Sequence, residues 1–229
     1  MQQISLVEDD PALRDALALG LINRGYSVRT FADGESALEE VSDSITDILI
    51  LDLMLPRISG IDVCRGIRTR YGTLPIIMLT ARGEDSLMVE GLEAGADDYI
   101  VKPCAPRVID ARIQAVLRRG GVDKATTRNR VEEFAGLTVD HDGFVVRRGA
   151  TELPLTATEM RLFLTLVEHR GAVLSRQQLL ERVWGYDHLG DSRVVDATMQ
   201  RLRSKVERDP RNPELLTTVR GFGYRCDIA

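Results

Sequence analysis

The feature that most constrains the fold is a fivefold alternation of short apolar segments and amphipathic segments in the first half of the chain. The apolar segments predict strands, and the segments between them predict helices. In the first such helix, Leu13, Leu17 and Leu21 lie four residues apart on one face. Five strand–helix units predict a parallel sheet covered by helices on both faces. The strands are predicted near 3–7, 26–30, 47–51, 75–79 and 98–101, and the helices near 11–23, 34–42, 59–70, 85–94 and 106–118.

The second half has a different pattern. After a small, polar and basic stretch come turn-punctuated extended segments, three helical patterns near 157–169, 175–183 and 192–206, and an extended end that Gly221 and Gly223 divide into a hairpin. The length of 229 residues suits two domains. We predict one domain over 1–120, a linker over 121–131 and a second domain over 132–229.

Charge and hydropathy limit the function classes. No apolar run approaches the roughly 18 to 20 residues that cross a bilayer, and the first residues lack the features of a signal peptide. We therefore expect a cytoplasmic protein without a membrane partner. The net charge is -6 over residues 1–120, +1 over the remainder and +3 within 191–225, so a nucleic-acid partner is suggested only for the second half.

Acidic residues follow the first and third predicted strands. These are Glu8, Asp9 and Asp52. If the strand order is 2-1-3-4-5, the two strands are neighbours where the order reverses, and the three carboxylates converge. Because they would repel one another, we expect a hard divalent cation between them, and Mg²⁺ is the usual choice beside phosphate.

Two further strand ends add a hydroxyl and an ammonium group, from Thr80 and Lys102. Together with the metal and the carboxylates, these groups can hold a phosphoryl group during in-line transfer. Asp52 would be the nucleophile, because a carboxylate can form an acyl phosphate. Acidic residues at strand ends are often only solvated loop residues, but five positions at four strand ends favour a site.

The segments that carry these residues resemble the receiver domain of response regulators. They are LVEDD at 6–10, LDLMLP at 51–56 followed by Gly60, MLTAR at 78–82 and GLEAGADDYIVKP at 91–103. The resemblance covers about the whole first half and implies a flavodoxin-like, doubly wound α/β sheet. It also implies that Asp52 accepts phosphate from the phosphohistidine of a sensor histidine kinase, with at most slow self-dephosphorylation rather than enzymatic turnover.

The same resemblance assigns roles to individual residues. Glu8 and Asp9 match the metal-holding pair, with a backbone carbonyl of Met54 as a further ligand. Thr80 and Lys102 match the pair that contacts the phosphoryl group, and the Lys102–Pro103 bond is expected to be cis. Tyr99 matches an aromatic residue that swings inward once Thr80 moves toward phosphate. An amphipathic tyrosine at a sheet edge is the open alternative.

In the OmpR/PhoB branch, phosphorylated receivers pair through the fourth helix, fifth strand and fifth helix. The charged positions of that face are matched by Asp97, Asp98, Arg112 and Arg119. An Asp98–Arg112 pair across the two-fold axis would be self-complementary. Met88 and Val108 replace a basic and an acidic residue, which suggests an apolar Met–Val contact. Surface drift is the open alternative, so the dimer mode stays undecided.

The helical pattern over 192–206 has one apolar stripe: Val195, Met199, Leu202 and Val206. The other faces carry Arg193, Ala197, Gln200, Arg201 and Ser204. Such a mixture suits a helix in a major groove, because arginine can bind guanine and small residues permit close approach. The following Arg203 and Lys205 suit phosphate contacts. A solvated basic helix is the alternative.

The second half also resembles the α+β winged helix-turn-helix effector of this branch. The matching segments are LTATEMRLFLTLVEHRGAVLSRQQLLERVWG at 155–185, RVVDATMQRLRSKVE at 193–207 and TVRGFGYR at 218–225. The resemblance implies that Ala197, Thr198 and Arg201 face bases and that Arg220 enters a minor groove. It implies backbone contacts for Trp184, Arg193 and Arg203, and contact with RNA polymerase for the loop 185–191. Gln200 stands where a basic residue is frequent.

Three functions remain open. The first is a transcription factor in which phosphorylation promotes homodimers and binding to double-stranded DNA. The second is a magnesium-dependent phosphohydrolase, which is disfavoured because such enzymes need an acid two residues after the nucleophile, where this chain has Met54. The third is a DNA-binding regulator that no longer uses phosphorylation.

Overall fold

The computed structural model describes residues 1–81, 85–117, 131–185 and 192–227. The chain forms two compact units, Met1–Leu117 and Arg118–Ala229. The predicted linker 121–131 lies outside the described residues except for Val131. Across the described ranges, no helix has both the length and the apolar character needed to cross a membrane.

The first unit contains a five-stranded parallel sheet of order β2-β1-β3-β4-β5. The predicted fold and strand order are therefore confirmed. The strands are β1 (Gln3–Val7), β2 (Ser27–Phe31), β3 (Ile48–Asp52), β4 (Ile76–Ala81) and β5 (Asp98–Lys102). Every residue of β3 is buried, as expected for a central strand with helices on both faces.

Five helices follow the strands of this sheet: α1 (Pro11–Ile22), α2 (Gly34–Glu40), α3 (Gly60–Arg70), α4 (Asp85–Ala94) and α5 (Pro106–Leu117). Side-chain caps fix where three of them begin. Asp10, Asp33 and Ser59 each accept a hydrogen bond from the backbone N–H three residues later, which satisfies a donor that has no partner within the helix. On α1, the predicted core residues Leu17 and Leu21 are buried.

Gly60 permits a close approach between the start of α3 and the end of β3. A Cβ atom at this position would lie 2.0 Å from the carbonyl oxygen of Asp52. The Gly60 N–H donates to the carbonyl oxygen of Leu53 at 3.0 Å. The loop that follows Asp52 is therefore folded back tightly, and only glycine fits without displacing it.

The second unit is a winged helix-turn-helix domain, as predicted. A four-stranded antiparallel sheet consists of β6 (Val131–Phe134), β7 (Leu137–Asp140), β8 (Val145–Arg148) and β9 (Thr151–Glu152). The helices are α6 (Ala157–Glu168), α7 (Arg176–Trp184) and α8 (Arg193–Val206). A second sheet of order β10-β12-β11 is built from β10 (Val173–Leu174), β11 (Leu216–Val219) and β12 (Gly223–Cys226).

Capping boxes begin two helices of this unit. The Thr156 side chain accepts from the Glu159 N–H, and the Glu159 carboxylate accepts from the Thr156 N–H. Ser175 and Gln178 form the same arrangement at α7. These reciprocal bonds satisfy two backbone donors at each helix start.

Candidate functional site

Three carboxylates converge at the carboxyl edge of the first sheet. Glu8, Asp9 and Asp52 each place one oxygen so that all three atoms lie within 4.8 Å of one another. The pairing of β1 with β3, in which Val7 is opposite Leu51, brings the two strand ends together. Glu8 and Asp52 are each 1% exposed, whereas Asp9 is exposed. The convergence that the strand order predicts is thus present.

Lys102 joins this cluster from the end of β5. Its Nζ lies 2.9 Å from Asp52 Oδ2 and 3.3 Å from Glu8 Oε2. Burial alone would lower the pKa of Lys102, but the hydrogen bond and charge of Asp52, together with Glu8, raise it. Burial and the charge of Asp52 raise the pKa of Glu8, and Lys102 opposes this change. Lys102 therefore remains a cation that offsets part of the carboxylate charge.

Thr80 and Tyr99 lie on the two strands beside this cluster. Thr80 is 2% exposed, and its hydroxyl donates to the carbonyl oxygen of Ala81 at 3.3 Å. Tyr99 is 8% exposed, so it is buried although β5 is an edge strand. The Lys102–Pro103 peptide bond is cis, as expected.

The loop after β1 is held by a residue that the sequence analysis did not select. Arg14 of α1 donates through Nη1 to the carbonyl oxygens of Glu8 at 2.7 Å and Asp9 at 3.2 Å. The Asp10 N–H faces Glu8 Oε1 at 3.4 Å. The sequence signal that could have predicted this contact is a basic residue in the first turn of the helix that follows the acidic residues.

The donor set fits a magnesium ion. Mg²⁺ prefers hard oxygen ligands and binds through a small number of carboxylates while keeping several waters. Glu8, Asp9 and Asp52 provide three such oxygens within a short distance, and Asp9 keeps the cluster open to solvent. Met54 follows Asp52 closely, and its N–H faces Asp52 Oδ1 at 3.4 Å. Its carbonyl as a further ligand stays a prediction.

The predicted dimer face contains two aspartates with partners inside the chain. Asp97 is 1% exposed and accepts from Arg68 at 2.7 Å and from the Ile76 N–H at 3.1 Å. Asp98 is buried, and Arg112 Nη1 of the same chain lies 3.8 Å from its Oδ2.

The two apolar positions of this face differ in exposure. Met88 is 6% exposed and Val108 is 40% exposed, so Val108 provides most of the apolar surface at this pair of positions. Arg119 lies outside the described residues.

Helix α8 buries the predicted apolar stripe and several polar residues as well. Arg203 donates to the carbonyl oxygen of Leu216 from Nε at 2.8 Å and Nη2 at 2.6 Å, and to Thr218 Oγ1 at 2.9 Å. Trp184, Thr198 and Ala197 are buried. Their predicted contacts with DNA stay predictions, and the structure gives Arg203 a role inside the unit.

Two further cations of α8 are held by Glu159, a buried carboxylate that sequence reasoning missed. Arg201 Nε lies 3.3 Å from Glu159 Oε1, and Lys205 Nζ lies 2.6 Å from Glu159 Oε2. On the outer face of α8, Gln200 and Ser204 are exposed, and Arg193 is partly exposed. Arg220 is exposed in the turn between β11 and β12. The loop 186–191 lies outside the described residues.

Comparison with known protein families finds a match in each half of the chain. The family described as the response regulator receiver domain matches residues 4–114, and the family described as transcriptional regulatory protein, C terminal, matches residues 150–226.

Similarity to known relatives extends over almost the full chain. This chain is 51% identical over 227 residues to the transcriptional regulatory protein AfsQ1 of Streptomyces coelicolor, and the match covers 99% of each chain. It is 44% identical to the sensory transduction protein RegX3 of Mycobacterium tuberculosis, covering 99% of this chain and 100% of that one. The structure of the response regulator DrrB, an OmpR/PhoB homologue of Thermotoga maritima, is 32% identical with a TM-score of 0.51 and covers 99% of both chains. A RitR mutant is 28% identical, with a TM-score of 0.74 over all of both chains.

Proposed function

This chain belongs to the OmpR/PhoB-type family of two-component response regulators, and from this premise we propose that phosphorylation of Asp52 controls DNA binding by its second domain. The observation that carries the proposal is the convergence of Glu8, Asp9 and Asp52 within 4.8 Å, with Lys102 bound to Asp52 at 2.9 Å. The expected phosphoryl donor is the phosphohistidine of a sensor histidine kinase. The bond from the histidine nitrogen to phosphorus breaks as a bond from an Asp52 oxygen to phosphorus forms.

The residues around Asp52 determine how it reacts. Lys102 holds one Asp52 oxygen through a charged hydrogen bond, which orients the carboxylate and provides a cation for the incoming phosphoryl oxygens. Glu8, Asp9 and Asp52, with the Met54 carbonyl, would hold Mg²⁺, which when bound neutralises charge on the carboxylates and on the phosphoryl group. Thr80 lies at the end of β4, the strand next to β3, and would supply a hydroxyl for a phosphoryl oxygen.

The reaction is proposed to stop at the acyl phosphate, apart from slow self-dephosphorylation. A phosphohydrolase of the aspartyl-phosphate class needs an acid–base carboxylate two residues after its nucleophile. Position 54 is a methionine that is 57% exposed, and a thioether cannot transfer a proton to a leaving group. We therefore expect stoichiometric phosphorylation without multiple turnovers.

Phosphorylation is proposed to act through Thr80 and Tyr99. Movement of the Thr80 hydroxyl toward the phosphoryl group would change the packing around the buried ring of Tyr99, and the surface of α4, β5 and α5 would then pair with a second copy. Asp97 and Asp98 have partners inside the chain, so they would have to exchange them to bridge two copies. Val108, 40% exposed, adds apolar surface to such an interface.

The second domain is proposed to bind double-stranded DNA with α8 in a major groove and Arg220 at an adjacent minor groove. Gln200, Ser204 and Arg193 present polar and basic groups on the accessible face of α8. Joining two such domains in one dimer raises the effective concentration of the second domain at an adjacent half-site. The loop 185–191 is expected to contact RNA polymerase.

The test compares binding of wild-type protein and Asp52→Ala to DNA that wild-type protein selects from a randomised pool. Both are measured with and without acetyl phosphate and Mg²⁺. We expect tighter binding by the wild type after treatment and no change in Asp52→Ala. An equal gain in both proteins, or no gain in either, would favour the regulator that works without phosphorylation. Steady release of phosphate from an ester would favour the hydrolase.

A further inference from the structure

Two of the three clustered carboxylates, those of Glu8 and Asp9, belong to a short connection outside the regular elements. Strand β1 ends at Val7, and Asp10 is the N-cap of α1. The two carboxylates are held to different degrees. Glu8 is 1% exposed, and Lys102 Nζ lies 3.3 Å from its Oε2. Asp9 is exposed, and an exposed side chain has few packing contacts, so the position of its carboxylate depends mainly on its backbone.

Arg14 of α1 ties this connection to the helix. Its Nη1 donates to the carbonyl oxygen of Glu8 at 2.7 Å and to that of Asp9 at 3.2 Å. The backbone of Arg14 is itself fixed, because its N–H donates to the Asp10 carbonyl oxygen at 2.9 Å. The Asp10 side chain in turn accepts from the Leu13 N–H at 2.9 Å. One guanidinium group on a capped helix therefore bridges the backbones of both acidic residues.

The charge of Arg14 and its hydrogen bonds have opposite effects on the binding of a cation. Like charges repel, so a guanidinium beside a magnesium site lowers the affinity of that site for Mg²⁺. Hydrogen bonds to the backbone of the metal ligands raise the affinity, because they restrict the ligands to one arrangement before the ion binds. Residues that orient metal ligands in this way typically contribute about 10- to 100-fold in affinity. The sign of the change on removing Arg14 therefore shows which effect is larger.

We propose that Arg14 is a positioning residue of the magnesium site, which it serves by holding the Asp9 carboxylate near those of Glu8 and Asp52. This inference rests on the proposed function of the acidic cluster, and it adds a residue outside the cluster on which the metal affinity depends. The two bonds that Arg14 donates here end on backbone carbonyl oxygens, not on the nucleophile. Arg14 should therefore change the Mg²⁺ concentration that phosphorylation requires, and not the rate at saturating Mg²⁺.

The experiment titrates the ¹⁵N-labelled full chain with Mg²⁺ and follows the backbone amides by NMR, which also shows that each variant is folded. Arg14→Met keeps the apolar part of the side chain and removes its donors, so the dissociation constant for Mg²⁺ should rise about tenfold. Arg14→Lys keeps the charge but not the two-bond geometry, so its dissociation constant should lie between those of the wild type and Arg14→Met. Arg24→Met is the matched control: it removes a positive charge just beyond the other end of α1, where Arg24 lies 3.5 Å from Asp110, and should bind Mg²⁺ as the wild type does. An unchanged or lower dissociation constant in Arg14→Met would overturn the inference.

Two further readouts separate positioning from a general loss of structure. If Arg14 acts through the Asp9 carboxylate, adding Arg14→Met to Asp9→Asn should change the dissociation constant for Mg²⁺ by less than about twofold; an equal effect in both backgrounds would overturn the inference.

Phosphorylation of Asp52 by acetyl phosphate supplies the second readout. Arg14→Met should need more Mg²⁺ for half of its maximal rate and should reach the wild-type rate at saturation. A lower rate at every Mg²⁺ concentration, with an unchanged dissociation constant, would contradict a role in positioning the metal ligands. Failure of the wild-type protein to bind Mg²⁺ would instead refute the proposed function of the cluster.

Discussion

Replacing Arg203 by methionine tests whether this buried cation stabilises the second unit or contacts DNA. Its guanidinium donates twice to the carbonyl oxygen of Leu216 and lies 5.4 Å from the centroid of the Tyr224 ring. Methionine keeps apolar packing but removes every donor. Leu216 is 0% exposed, and a buried acceptor that loses its donor costs about 1–3 kcal/mol. We expect the free energy of unfolding of the second unit to fall by about 2 kcal/mol.

Tryptophan fluorescence measures this change selectively. Trp184 is the single tryptophan of the sequence, and it is buried in the second unit at 2% exposure. For a urea dependence of about 1–3 kcal/mol per molar, the unfolding midpoint should decrease by about 1 M. Arg208→Met is the control, because Arg208 is exposed, and its midpoint should equal that of the wild type.

DNA binding supplies the second measurement on Arg203→Met. A side chain held inside the unit releases no counterions on binding, so the salt dependence of affinity should be that of the wild type. An unchanged urea midpoint combined with a slope reduced by about 1 would refute the structural role. Arg203 would then be the phosphate contact that its position in the sequence suggests.

Three more predictions concern separate parts of the chain. Burial and Asp196 raise the pKa of Tyr224 to about 12, so the neutral phenol stabilises the fold below pH 10 and this contribution disappears as the pH rises toward 12. Between pH 10 and 12 the urea midpoint of Tyr224→Phe should therefore vary less with pH than that of the wild type; identical pH profiles of the two proteins would contradict this. Gly60→Ala places a methyl group 2.0 Å from the Asp52 carbonyl oxygen and so displaces the Asp52 carboxylate; because a misplaced nucleophile reacts more slowly, phosphoryl uptake measured by mass spectrometry should fall about tenfold, with the Trp184 signal unchanged, and normal uptake would show that the loop adapts. Mg²⁺ should raise the melting temperature of the first unit, followed by circular dichroism, because it binds preferentially to the folded state. This increase should be smaller in Asp9→Asn than in Asp43→Asn, a control at an exposed aspartate; equal increases in the two variants would remove Asp9 from the metal site.

The sequence was sufficient to predict the acidic cluster because the constraints there are topological. Parallel strands end at one edge of a sheet, so Asp52 and the Glu8–Asp9 pair converge once the strand order is known. Lys102 could be placed by the same reasoning, and its ion pair with Asp52 follows from charge. The strands were also predicted within a few residues, because apolar β-branched segments bounded by turns give a clear signal.

Partners of polar side chains were less predictable, since they depend on tertiary contacts between distant segments. The sequence predicts a contact between Arg203 and a DNA phosphate, and in the structure its guanidinium donates to the Leu216 carbonyl oxygen. Asp97 was selected for a dimer contact, and it pairs with Arg68 of α3. Glu159 was not selected at all, although it binds two cations of α8. A basic or acidic residue in a linear pattern does not reveal whether a neighbouring element already uses its charge.

The most direct measurement of the central claim is phosphoryl incorporation at Asp52, followed by intact-mass and peptide mass spectrometry. Wild-type protein, Asp52→Asn and Asp47→Asn are each treated with acetyl phosphate and Mg²⁺; Asp47 is an exposed acid that precedes the same strand. We predict that wild-type protein and Asp47→Asn gain one phosphoryl group per chain, located on Asp52, and that Asp52→Asn gains none. Equal incorporation into Asp52→Asn, or phosphate on another residue of the wild type, would contradict the account.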